Sequence, residues 1–435
     1  MLVDVRALYT VLLYLAAPFV LLRLLWKSRL LPAYRGRLAE RFGFVPRADG
    51  IGAWLHAVSV GEALAAQPLI EALIARHGAG RVWVTTTTPT GSSRIAAAFG
   101  DRVRHSYAPY DLPDAVARFL DRVRPGHAIV METELWPNLF AACAKRMIPL
   151  TIANARLSPR SFRGYSAVRG FATATLAHCT AIAAQSEADA GRFIALGAPH
   201  TRVQAVGNLK FDLTLPDLPI IHGRNLRERF GRQRPVWIAA STHEGEEAAA
   251  LSAHAALLEL HADALLVLVP RHPQRFDGIW RQIVDSGLKA ERRTRLAALD
   301  KSGYPQALDE VQVFLGDSMG EMFLYLAMAD VAFVGGSLVA IGGHNILEPA
   351  AIGLPVLFGP AMFNFEAARK LLIDSGAAIQ IDDAPQLAEE TAVLFGNDLR
   401  RHTMGKAGEA AVRANRGALA KLLALLDGQR PSASA

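Results

Sequence analysis

The chain has 435 residues, 51% hydrophobic and 20% charged, with 47 Lys+Arg against 40 Asp+Glu and a formal charge of +7. That length exceeds one ordinary core and predicts two domains of about 200 residues each, while the apolar fraction excludes a disordered chain. The positive balance favours anionic partners such as phosphates, nucleotides or acidic lipid headgroups; no nucleic-acid-binding motif occurs. Cys143 and Cys179 are the only cysteines, which suits a reducing compartment and excludes a disulfide scaffold or a cysteine zinc site.

The first candidate element is Ala7–Leu22, a run of uncharged, mostly apolar residues extended by Leu24, Leu25 and Trp26. It lies near the lower limit for a membrane-spanning helix, and Pro18 interrupts it. Arg23, Lys27, Arg29, Arg35, Arg37, Arg41 and Arg47 then face a single acid, Glu40. The positive-inside rule leaves the large remainder on the cytoplasmic side. A cleaved signal peptide fits less well, because Asp4 spoils the basic leader and no small-residue cleavage site follows. A helix lying in one leaflet, with the basic arm on anionic headgroups, stays open beside the spanning one.

From Trp54 short apolar runs alternate with amphipathic stretches. Strands are expected at Ala53–Val58, Arg81–Thr87, Arg102–Tyr107, Ala128–Met131, Leu150–Ala153, Ala181–Ala184 and Val203–Gly207, with helices such as Ala63–Arg76, Leu112–Val123 and Trp136–Arg146 between them. "LTLPDLPI" (Leu213–Ile220) breaks the pattern and reads as a linker. A second series follows at Val236–Ala240, Ala264–Val269, Val311–Leu315, Val331–Val334, Pro355–Phe358 and Ala378–Ile381, and one long helix is expected over roughly Arg400–Leu426. This alternation predicts two Rossmann-like α/β domains whose carboxyl strand ends face a cleft.

Polar or glycine-rich clusters fall just after these strands. Glu62 follows the first, in "LHAVSVGEALAAQPLIEALI". Glu132 and Glu134 follow in "METELWPN", then Asn208 and Lys210 in "GNLKFD". The second half carries Ser241, Thr242 and His243, then Pro270 and Arg271 in "VPRHPQRF", "GDSMGE" (Gly316–Glu321) and "GGSLVAIGGHNILEP". Taken alone, Glu62 reads as a first-turn carboxylate favoured by the helix macrodipole, which is expected to keep it ionised. Glu244, Glu246 and Glu247, after Ser241, read as a capping box and acidic first turn, and are taken as structural. The glycine-rich segment predicts backbone N–H groups open to a phosphate, with a helix N-terminus at Asn345 behind them. Glu348 is placed to accept from ribose hydroxyls, and Arg271 to fork a phosphate or a sugar carboxylate. There is no G-x-x-x-x-G-K-[ST], no G-x-G-x-x-G after the first strand and no D-x-D. P-loop and dinucleotide chemistry are disfavoured, and the usual metal–diphosphate clamp lacks its ligands.

"HAVSVGE", "METELWPN", "NARLSPRSF", "GNLKFD", "VPRHPQRF", "GDSMGEM" and "GGHNILEPAAIGLPVLFGP" together resemble the Kdo (3-deoxy-D-manno-oct-2-ulosonic acid) transferases of lipopolysaccharide synthesis. The resemblance runs in order from the N-terminal apolar segment to about residue 370. It implies a GT-B fold, with a membrane anchor and basic arm over 1–30 and an acceptor domain over 31–213. A CMP-Kdo-binding domain over 214–425 and a flexible tail over 426–435 complete the expected organisation. It also implies inverting transfer of Kdo from CMP-Kdo, a co-substrate, to the 6′-hydroxyl of the tetraacylated lipid A precursor, without a metal or other cofactor. The implied setting is the cytoplasmic face of the inner membrane, with its anionic surface as a further partner and no nucleic acid. Glu62 corresponds to the general base, and Glu132 and Lys210 to transition-state stabilisers. Pro270, Arg271, Met319, Gly320, Glu321, Asn345, Ile346, Leu347 and Glu348 correspond to CMP-contacting segments. Two other readings stand beside it: a membrane-associated GT-B transferase using a UDP-sugar and a lipid acceptor, and a non-catalytic membrane-tethered GT-B scaffold.

Overall fold

The structure is a computed structural model that describes residues 5–29, 32–300 and 308–429. The chain divides into two compact units, Met1–Asp212 with Asn415–Ala435, and Leu213–Ala414.

The first unit opens with α1 (Val5–Lys27), which keeps Pro18 inside a continuous helix. A strand–helix series follows: β1 (Ala53–His56), α2 (Val60–Ala65), α3 (Gln67–His77), β2 (Val82–Thr86), α4 (Pro89–Phe99), β3 (Arg104–Tyr107), α5 (Pro113–Val123) and β4 (Ala128–Met131). It continues through α6 (Pro137–Lys145), β5 (Leu150–Ala155), α7 (Pro159–Ala167), α8 (Arg169–Leu176), β6 (Ala181–Ala184), α9 (Glu187–Ala195) and β7 (Val203–Ala205). Helix starts are written into the sequence. Pro sits in the first turn of α4, α5, α6 and α7, and Thr88, Ser158 and Ser186 cap α4, α7 and α9 with their hydroxyls.

The seven strands form one parallel sheet in the order β3-β2-β1-β4-β5-β6-β7. Trp54 of β1 lies opposite Trp83 on one side and Ala128 on the other. The order therefore reverses between β1 and β4, the switch point outside whose carboxyl ends ligands of open α/β sheets bind. Because strand side chains alternate, Trp54, Ala128, Val130 and Ile152 feed one core layer, and Leu55, Ile129, Met131 and Ala153 the other.

The second unit runs α10 (Asp217–Phe230), β8 (Val236–Thr242), α11 (Glu246–Leu260), β9 (Leu265–Pro270), α12 (Phe276–Asp285), β10 (Ala290–Arg292), α13 (Arg293–Asp300), β11 (Val313–Leu315) and α14 (Met322–Leu326). After these come β12 (Val331–Val334), α15 (Leu347–Ala351), β13 (Val356–Phe358), α16 (Glu366–Asp374), β14 (Ala378–Gln380), α17 (Ala384–Phe395) and α18 (Asp398–Ala414). Its parallel sheet has the order β10-β11-β9-β8-β12-β13-β14, with the reversal between β8 and β12.

Several expectations need correction, and one strand went unexpected. The segment read as a linker is already helical from Asp217, because Pro216 and Pro219 occupy the N-cap and first turn, where a missing N–H costs nothing. The edge strand β10 has no apolar run to announce it; its sequence is Ala-Glu-Arg. The long closing helix is two helices: α18 ends at Ala414, and α19 (Ala418–Asp427) starts after Gly417, whose φ is +101°. Asp212 accepts from the N–H groups of Gly417 (2.6 Å) and Leu419 (2.6 Å), and Ala418, Leu422 and Leu426 join the core of the first unit. Residues 415–429 thus belong to the first unit, and not to a C-terminal domain reaching 425. The tail expected over 426–435 starts inside α19, and its residues 430–435 lie outside the described ones.

Candidate active site

Glu62 sits one turn beyond β1, in the six-residue helix α2. Ser59 accepts from the Glu62 N–H (3.2 Å), while the Glu62 carboxylate accepts from Ser59 N–H (3.2 Å) and Val58 N–H (2.8 Å). This is a capping box, so the helix-start reading holds as geometry. Its electrostatic corollary does not. Burial pushes Glu62 up to about 7, against the downward pull of the Val58 and Ser59 bonds and helped upward by Glu132 and Glu134. A helix of six residues, broken at Ala66 before α3, aligns few peptide dipoles, and desolvation wins.

Glu132 follows β4, the neighbour of β1 at the strand-order reversal, and takes the left-handed conformation at φ +58°. Its N–H donates to Ala153 (2.9 Å), which locks the turn. A non-glycine residue costs about 1–2 kcal/mol there, so the turn is imposed by its surroundings. Lys210 follows β7 on a tight turn over Leu209–Phe211. Burial lowers its pKa, whereas Glu132 and Glu62 raise it and Arg156 lowers it further. Glu62, Glu132, Glu134, Lys210 and Arg156 are thus one electrostatically coupled group at the carboxyl ends of β1, β4, β5 and β7.

A polar chain that sequence reasoning passed over holds Lys210 in place. Asn154, buried in β5 at φ +53°, accepts from Leu209 N–H (3.0 Å), and its carbonyl accepts from Gln185 (3.0 Å). Gln185 accepts from Asn208 Nδ2 (3.0 Å), whose Oδ1 takes the Lys210 N–H (3.0 Å). The signal was present: "LTIANA" sets an amide inside an otherwise buried strand.

The second unit carries its own cluster. His243 leaves β8, Pro270 closes β9, and Arg271 N–H donates to Thr242 (3.0 Å). His243 and His344 lie within 8° of parallel with centroids 5.0 Å apart and Nε2 atoms 2.8 Å apart. Those distances describe two coplanar rings meeting head to head, one donating and one accepting. His272 stands edge-on to His243 at 5.1 Å. Burial, then Arg271, drives His344 down to about 3.

Here the first half of the glycine-rich segment departs from expectation. Glu246, only 1% exposed, accepts from Gly336 (2.7 Å), Ser337 (3.0 Å) and Leu338 (3.0 Å) N–H groups, and from His243 N–H (2.9 Å). The Gly336–Leu338 donors, expected to face a phosphate, are spent on a carboxylate of the chain itself. A Cβ on Gly335 would meet Glu246 Oε2 at 2.8 Å, and one on Gly336 would meet the His344 ring at 3.0 Å. These glycines admit protein groups. Glu246 is structural, as expected, but by bracing the loop and not by completing a Ser241 capping box, since α11 has Gly245 at its N-cap.

The remaining predicted residues divide. Asn345 accepts from Leu347 N–H (3.1 Å) and donates to Glu348 (3.0 Å), whose carboxyl burial pushes up while Asn345 and Arg271 pull it down. The helix behind Asn345 begins only at Leu347 and lasts five residues. Ile346 and Leu347 are fully buried, backbone included, and expose no surface of their own. Met319 is 53% exposed, beside Gly320 at φ +82°. Glu321 is committed to Arg293 (2.9 Å), and although burial raises its pKa, Arg293 and Ser318 bring it below the ordinary value. No group of three or more His, Cys, Asp or Glu arranged to hold a metal occurs among the described residues.

Residues 36–213 match the family model described as 3-Deoxy-D-manno-octulosonic-acid transferase (kdotransferase). A 3-deoxy-D-manno-octulosonic acid transferase of Haemophilus influenzae is 41% identical over 425 residues, which is 97% of this chain and 98% of the relative. The chain belongs to the Kdo transferase family. A second member, from Bordetella pertussis, is 36% identical over 97% of this chain and 99% of its own length. The enzyme is a glycosyltransferase of GT-B fold. Among solved structures, UDP-GlcNAc 2-epimerase from Neisseria meningitidis bound to UDP-GlcNAc shares that fold, with a TM-score of 0.55 over 87% of this chain and 100% of the other, at 14% identity.

Proposed function

We propose that the enzyme moves Kdo from CMP-Kdo to the 6′-hydroxyl of the tetraacylated lipid A precursor at the cytoplasmic face of the inner membrane. Glu62 is the general base, and the observation that carries this role is its pKa of about 7 beside Glu132 and Lys210. A base works best when its pKa lies near the working pH, where it is partly ionised yet still pulls a proton. The acceptor O–H gives its proton to the Glu62 carboxylate while its oxygen attacks the anomeric carbon of Kdo. The bond from that carbon to the phosphate oxygen breaks, and the electron pair leaves with CMP, inverting the centre. Glu132 faces the positive charge that develops at the anomeric carbon, and Lys210 offsets the negative charge that develops on the leaving phosphate.

In the second unit Arg271 is the cation for the departing phosphate, and Asn345 with Glu348 offers donors and acceptors to the nucleotide. Pro270, Met319, Gly320 and Glu321 line the CMP segments, and Ile346 and Leu347 pack behind Asn345 and Glu348 to hold them there. The order of the motifs and the near-full-length kinship support this assignment. The test is mass spectrometry of products from CMP-Kdo and the tetraacylated precursor, together with thermal stabilisation by nucleotides. Added Kdo and a melting shift with CMP are expected. A shift with UDP and none with CMP would point to a UDP-sugar transferase. Binding of neither, with no transfer, would leave a tethered scaffold.

A further inference from the structure

The apolar helix α1 is long enough to cross a membrane, at about 34 Å for its 23 residues. Its surroundings within the first unit argue for another placement. Thr10, Leu13, Ala17, Leu21 and Leu24 are partly shielded and Ser28 is buried, a stripe at helical spacing along the whole length. The opposite stripe is open: Leu8 is 51% exposed, Leu12 56%, Leu15 64%, Phe19 72%, Leu22 63% and Trp26 61%.

Polar bonds hold the inner side. Tyr9 donates to Asp111 (3.0 Å), Thr10 to Asn138 (3.2 Å) and Tyr14 to Asp114 (2.7 Å), and the Tyr9 ring packs at 5.4 Å from Phe171 of α8. Asp111 is itself part of the frame, since it also accepts from Asn138 N–H (3.1 Å) and Leu139 N–H (2.7 Å) at the start of α6. At the other end Arg35 donates to Ser28 (2.7 Å).

A spanning α1 would carry its Tyr9–Tyr14 segment about 20–27 Å from the Lys27 end, into the far half of a hydrocarbon layer about 30 Å thick. Asp111, Asp114 and the start of α6 would follow it into lipid, or all three bonds would break and leave polar groups facing hydrocarbon. Lying flat, the helix keeps every bond and buries only its open stripe.

The charges beside it suit an anionic leaflet. Arg160, Arg163 and Arg169 on α7 and α8 are exposed and form no ion pair among the described residues, and no acid occurs from residue 135 to 186. The basic arm expected on headgroups is partly used elsewhere. Arg37 bonds Glu40 (2.8 Å), and Arg41 is buried, donating to Thr87 (2.9 Å) with its guanidinium 4.2 Å over the Tyr107 ring.

We propose that α1 is an in-plane anchor clamped along the first unit. Leu8, Leu12, Leu15, Phe19, Leu22 and Trp26 enter one leaflet of an anionic phospholipid bilayer, and the helix does not cross it. The inference rests on the membrane setting in the proposed function, and its test separates the two. The full chain carrying Leu8→Cys, Leu15→Cys or Leu22→Cys is spin-labelled, since Cys143 and Cys179 are buried. It is then mixed with vesicles of phosphatidylcholine and phosphatidylglycerol. Cosedimentation reports membrane attachment, and relaxation by oxygen against a water-soluble nickel chelate reports depth. Equal shallow depths at the three sites are expected. A label at Leu15 much deeper than those at Leu8 and Leu22 overturns the in-plane placement while keeping attachment. Failure to sediment overturns the membrane setting itself, and the placement with it.

Discussion

Replacing Glu62 by Gln should abolish the enzyme's loss of stability between acid and alkaline pH while removing its activity. Folding raises the Glu62 pKa from 4.5 to about 7. At 1.36 kcal/mol per unit the charged form in the folded state costs about 3 kcal/mol. The folded state holds the proton more tightly than the unfolded one. Stability from this group is therefore fully present below pH 4.5, falls as pH rises to about 7 and is flat beyond. Gln carries no such dependence. Its amide offers one oxygen where the carboxylate offers two, so the N–H of Val58 or Ser59 loses its acceptor, a pH-independent loss of about 1–3 kcal/mol. Urea unfolding of both proteins at several pH values between 4.5 and 8.5 measures the difference. The variant should gain about 3 kcal/mol relative to the parent across that range. Transfer, assayed in parallel with purified lipid acceptor, should fall by at least about 100-fold, and the parent's kcat/KM should rise with pH to a limb near 7. A stability difference that stays constant with pH would refute the raised pKa. Near-normal turnover of the variant would refute the base assignment.

Lys210→Met should fold, because burial already disfavours its charge, yet transfer should drop by about 100- to 1,000-fold. Removing a cation coupled to Glu62 should also move the limb of the pH profile to higher pH; an unmoved limb would uncouple the two groups. Glu246→Gln leaves four backbone donors competing for one oxygen, and the second unit should lose about 3–5 kcal/mol with weakened CMP binding, read by calorimetry. Unchanged melting would mean that the loop does not depend on this brace.

Much of the architecture was legible along the chain. Buried parallel strands are short apolar runs, and "AIVM", "AIAA" and "VAFV" were placed residue for residue because burial on both faces forces such runs. Glu62, Glu132 and Lys210 were legible as polar residues at strand ends. Their coupling was not, since it depends on β1 and β4 being neighbours at the strand-order reversal, a pairing of residues distant in sequence.

What the sequence determined by itself was local: strands, caps, the apolar N-terminal helix and the ordered motifs that identify the family. Only the tertiary structure decided which charges are desolvated and which donors are already taken. The sequence opened the whole glycine-rich segment to a phosphate, but Glu246 takes the Gly336–Leu338 donors from a different helix. It assigned Glu62 an ionised carboxylate, but burial by the surrounding fold outweighs six residues of helix dipole. Likewise the apolar length of α1 allows either a spanning or a lying helix. Asp111, Asp114 and Asn138, about 100 residues or more away in the chain, supply the bonds that distinguish them. Solvation and hydrogen-bond satisfaction are properties of the packed neighbourhood, and that neighbourhood exists only after folding.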